Sequence, residues 1–174
     1  EERAGKYYSV LSAPINLKQF EYAKALILIE KLIVATLFLA VFAAVSNLIS
    51  PALAVYSVGR NFAGSIALIF ASIWQIPVCL LLARKTGFLI PIVANTLLGI
   101  LMPILLGNTA IAWVCPYCWA AKMAELLMGI ESNGTFAGVS DFSWQVLLPL
   151  VFSVILYVLL TLWDAANFSK KEGK

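Results

Sequence analysis

Two of the three cysteines in this 174-residue chain stand in a Cys115-Pro116-Tyr117-Cys118 run, the only motif whose residue types and spacing suggest covalent chemistry. Thiols separated by two residues can cycle between dithiol and disulfide, and Pro-Tyr between them is a glutaredoxin-like spacing. A membrane enzyme passing electrons between quinone and a disulfide would hold such a pair near the outer face. It would also need a second pair to hand electrons to its substrate. Only Cys79 remains. On a straight helix from Asn61 it lies about 27 Å from the outer end, out of reach of Cys115 and Cys118. The chemically silent alternative is a Trp- and Pro-rich interfacial turn, with cysteines acting as small apolar residues or forming an incidental disulfide. The chain has no His, which removes imidazole acid–base chemistry and His-ligated metals. No GxxxxGK[ST] run occurs, so the chain does not hydrolyse nucleotide alone.

The elements around this motif are apolar. Hydrophobic residues make up 62% of the chain and charged ones 12%, with a mean hydropathy of +0.94. A soluble domain of this size lacks the interior to bury that surface. The charge-free stretches Asn61 to Ala83 and Thr86 to Leu106 flank a dibasic pair, Arg84-Lys85. Each is long enough at about 1.5 Å per helical residue to cross a hydrocarbon core of about 30 Å. The expected fold is all-α: one polytopic membrane domain over 1–174, with spans at about 32–48, 61–83, 86–106 and 143–163. An amphipathic, cytoplasm-facing segment over 1–24 precedes the spans, with Asn16 as N-cap of a helix from Leu17 and Glu21 placed to pair with Lys24. An irregular helical element, partly embedded in the membrane, occupies 109–142 outside.

Sorting the basic residues by alternation puts Arg3, Lys6, Lys18, Lys24, Lys31, Arg84, Lys85, Lys170, Lys171 and Lys174 inside, against Arg60 and Lys122 outside. That bias places both termini in the cytoplasm. The apolar spans carry no charged residue between Asn61 and Ala83 or between Thr86 and Leu106, so nothing there suggests a charged ion path. Pro77, Pro91 and Pro103 fall within spans, where neighbouring groups can re-satisfy freed carbonyls.

Two stretches carry a resemblance. The opening EERAGKYYSVLSAPINLKQFEYAKAL resembles the segment between the second and third spans of ABC-2-type transporter permeases, through Glu2, Gly5, Leu11, Pro14, Lys18 and Lys24. The stretch AWVCPYCWAAKMAELLMGIESNG is similar to the outer segment of permeases in lantibiotic-immunity exporters, through Trp113, Pro116, Leu127, Gly129, Asn133 and Gly134. That family has six spans, which implies two more ahead of Glu1. The resemblance implies a permease subunit without catalytic residues, bound metal or cofactor of its own. ATP and Mg sit on a separate ATPase subunit that docks on Glu2, Gly5, Tyr8, Leu11 and Pro14. A second permease subunit, membrane lipid and an exported amphipathic peptide are the other partners, and nucleic acid is not one. Trp113, Pro116, Trp119, Gly129 and Asn133 then face the substrate side. An ABC-2 exporter of another substrate, the quinone-linked thiol oxidoreductase and a non-transporting membrane scaffold are the competing readings.

Overall fold

The computed structural model describes residues 16–49, 56–136 and 144–172. Among the described residues six helices carry the fold: α1 (Leu17–Ile49), α2 (Val58–Ser72), α3 (Gln75–Thr86), α4 (Leu89–Leu106), α5 (Pro116–Met123) and α6 (Leu147–Glu172). A 3-10 turn, Ala110–Trp113, leads into α5, and a π-helical turn, Ala124–Met128, continues it. The described residues form no strand, only an isolated bridge between Ile130 and Phe136.

Three helical stretches, Lys18–Ile49, Leu89–Leu106 and Trp144–Asn167, are long and apolar enough to cross a membrane. The pair α2–α3 makes a fourth if its two halves, bent by 40°, count as one span. The chain does not continue straight from Asn61 to Ala83, as the unbroken apolar run suggested. It breaks at Ile73–Trp74, and α3 starts anew at Gln75. Pro77 explains the break: it sits in the first turn of α3, where its missing N–H has no helical partner to lose. Pro91, Pro116 and Pro149 likewise fall in the first turns of α4, α5 and α6, and among the described residues only Pro103 lies inside a helix.

A second difference lies at the start. The helix expected from Leu17 does not stop before the first span: α1 runs without interruption from Leu17 through Ile49, while the rest of the amphipathic segment, 1–15, lies outside the described residues. Asn16 does cap it, its side-chain oxygen accepting from the Lys18 amide at 3.0 Å. The stretch from Leu17 to Lys31 holds no proline or glycine, so nothing stops the helix. Lys31 faces away from the bundle and pairs with its neighbour Glu30 at 3.1 Å.

Four hydroxyls on the apolar helices satisfy themselves locally. The hydroxyls of Thr36, Ser46, Ser65 and Thr86 each donate to the carbonyl four residues back, the arrangement that leaves no donor facing lipid. The core gathers on one face of α2. Ala67, Ala71 and Trp74 pack with Trp119, Met123, Leu127 and Val146. Gly64 extends that small-residue face, and a side chain there would meet Met128 Cγ at 2.5 Å. Small residues at this spacing let helices approach closely where lipid gives no hydrophobic drive.

Candidate functional site

The inserted segment, Ala110 to Met128, runs back along α2 with its chain direction reversed. At its start the Tyr117 ring stands edge-on to Trp74 at 4.9 Å, and Trp119 does the same at 6.4 Å. At its end Leu127 and Met128 close on Gly64, and the Arg60 guanidinium donates to the Leu126 carbonyl at 2.9 Å. Arg60 also lies 3.7 Å from the Tyr56 ring centroid, a cation–π contact. The segment therefore spans the distance from the break in α2–α3 to the first turn of α2.

Each substrate-side candidate has a defined place in it. The Trp113 carbonyl accepts from the Trp119 indole at 2.8 Å, which fixes the 3-10 turn against the helix it precedes. Pro116 is the first residue of α5, where its fixed φ suits a helix start. Trp119 is buried in the core. Gly129 ends the π turn at φ 70, a left-handed conformation that glycine adopts freely. Its amide and that of Ile130 donate back to Glu125 and Ala124. The Asn133 side chain accepts from the Thr135 amide and hydroxyl at 2.9 and 2.7 Å, closing the turn that Gly134 completes at φ 84. These residues do not converge on one pocket. Trp113, Pro116 and Trp119 gather by the thiols, whereas Gly129 and Asn133 lie at the segment's far end, and Asn133 is exposed.

The thiol pair is asymmetric. Cys115 is the N-cap of α5 and half-buried; Cys118, one turn in, is 0% exposed. Burial, then the hydrogen bond and charge of Cys115, push the Cys118 thiol up to about 12, against a smaller downward pull from Lys122. Lys122 itself pairs with Glu125 at 2.8 Å, the i, i+3 spacing on one face of the element. Burial likewise raises the Tyr117 hydroxyl, with added repulsion from Cys79 and Cys115. Cys79 is thus within electrostatic reach of the motif. The straight-helix distance argument fails because the inserted segment packs at the level of the break, beside Trp74 and Val78.

The opposite end holds a second constellation. Arg84 joins Glu21 at 2.8 Å and Asp164 at 2.7 Å, and Lys24 completes the group at 2.9 Å from Glu21. Glu21 and Asp164 are each 3% exposed. Arg84 is therefore no solvated turn residue; its side chain is 16% exposed, held between α1 and α6. Only the Glu21–Lys24 contact was readable from local spacing. No known family matches the chain, and no curated protein or solved structure matches it either. The proposed ATPase-docking residues Glu2, Gly5, Tyr8, Leu11 and Pro14 lie outside the described residues. Among the described residues no cluster of His, Cys, Asp or Glu could hold a metal.

Proposed function

We infer that the chain is the membrane permease subunit of an ABC-2-type exporter, expelling an amphipathic, lantibiotic-like peptide. On this reading α1, the bent pair α2–α3, α4 and α6 are four spans of a bacterial cell membrane. The ionic end and both termini are cytoplasmic, and the inserted segment opens to the outer side. ATP hydrolysis belongs to a separate subunit, and a second permease completes the pore.

One observation carries the reading. The residues that produce the resemblance hold positions of strict local geometry: Pro116 at a helix start, Gly129 at a left-handed cap and Asn133-Gly134 at a tight turn. Residue types restricted in this way are what a shared backbone path would retain. The arrangement of charge adds support. Arg84, Lys24 and Lys18 share the end that the excess of basic residues assigns to the cytoplasm.

The test is purification of the chain from its native membranes in mild detergent. An ATP-binding cassette subunit should co-purify, and peptide resistance should be lost when the chain is deleted. Co-purification of a thioredoxin-fold protein alone, with peptide resistance intact, would overturn the exporter reading in favour of thiol oxidoreduction.

A further inference from the structure

The transport reading has no use for Cys115 and Cys118, yet the fold prepares them as a pair. The Cys118 amide donates to the Cys115 carbonyl at 3.0 Å. Such a turn holds the two Cα atoms within about 7 Å, and a disulfide needs about 4.4–6.8 Å. Closing the pair therefore asks for side-chain rotation rather than backbone movement. Access is divided between the two sulfurs. Cys115 stands half-buried at the entrance to α5, and Cys118 lies behind it in the core with Trp119 and Met123. One thiol can meet a partner from outside; the other can meet only its neighbour.

We propose that Cys115 and Cys118 form a redox modification site, closed to a disulfide by exchange with a disulfide-bearing oxidant, with Cys115 attacking first and Cys118 resolving. In the first step the Cys115 sulfur forms a bond to one sulfur of the oxidant. The oxidant's S–S bond breaks, and its departing sulfur takes up the proton that Cys115 gives up. In the second step the Cys118 sulfur attacks Cys115, the mixed disulfide breaks, and the second oxidant sulfur leaves with the Cys118 proton. Two electrons and two protons pass from the pair to the oxidant. The high proton affinity of Cys118 fits the waiting role: burial first, then the hydrogen bond and charge of Cys115, hold it protonated, and the mixed disulfide removes the contribution of Cys115. The product ties the N-cap of α5 to its first turn and so fixes where the inserted segment becomes helical. This is a one-time closure of the chain's own thiols and does not depend on the transport reading.

The test uses the whole chain in native membranes, carrying Cys79→Ser, exposed to glutathione disulfide and then, after denaturation, to an alkylating reagent. Both remaining thiols should lose alkylation together, with a Cys115–Cys118 linked peptide on mapping and full recovery after reduction. Cys118→Ser should trap glutathione on Cys115, whereas Cys115→Ser should trap none on Cys118. The proposal fails if both thiols stay alkylatable in glutathione disulfide. It also fails if the Cys115→Ser chain captures glutathione as readily as the Cys118→Ser chain. Peptide mapping of the pair in the Cys79→Ser chain decides the matter even if either serine variant does not fold.

Discussion

The two ends of the bundle are held by opposite means. At one end Arg84 joins carboxylates from α1 and α6, residues 63 and 80 positions away in sequence. At the other, the inserted segment is held by aromatic edges, a small-residue face and a single guanidinium on a carbonyl. Ion pairs in a dry site are intolerant of losing one member, because the charge left behind has no water to turn to. Apolar and cap contacts fail more gradually, through the surface they expose. The ionic end should therefore behave as a rigid clamp, and the inserted segment as the part that can rearrange. The proposed exporter, driven from one side, needs that division.

Removing the clamp should have the largest effect. Arg84→Met leaves Glu21 and Asp164 buried without their shared cation, a loss of about 3–5 kcal/mol. Thermal unfolding in detergent should register it. Adding Glu21→Gln and Asp164→Asn to the same chain should recover most of the loss, since no buried carboxylate then lacks its cation and the part-exposed Lys24 keeps its contact with the Phe20 ring. Failure to recover would mean that Arg84 acts through packing instead.

The next largest effect tests the other end. Gly64→Val drives a side chain into Met128 and Leu127, and overpacking of this kind costs about 1–3 kcal/mol. Its specific signature is faster alkylation of Cys118 with the ionic end intact. Arg60→Ala should cost about 2 kcal/mol through the lost carbonyl bond and the ring contact, again loosening the segment without disturbing Arg84.

The smallest effect concerns pH. Burial raises Cys118 from 9.0 to about 12 and raises Tyr117 as well. A group whose proton is held more tightly in the folded state contributes stability that is complete below its unfolded pKa. That stability falls as pH climbs from about 9 towards 12. Cys118→Ser should flatten this alkaline loss, as followed by unfolding temperature against pH.

Much of the bundle was legible in the sequence, because long apolar runs leave few alternatives to membrane-length helices. The Asn16 cap and the Glu21–Lys24 pair followed from spacing within one turn. The break at Ile73–Trp74 did not, since the run is apolar on both sides; Gln75 and Pro77 together were the available signal. The role of Arg84 was hidden because its partners are remote in the chain, although alternation of spans already put all of them at one end. The depth of the inserted segment was hidden for a similar reason. Nothing in CPYC itself announces that Trp74 waits at its level.

On the proposed exporter reading, energy enters this chain at the ionic end from a nucleotide-binding partner. A photo-crosslinker placed at the exposed position Lys18, beside that end, and another at the exposed Asn133, beyond the inserted segment, test it in native membranes. An ATP-binding cassette subunit captured from Lys18 and not from Asn133 is the expected result. Capture of that subunit from Asn133, or its absence at both positions, would contradict the account.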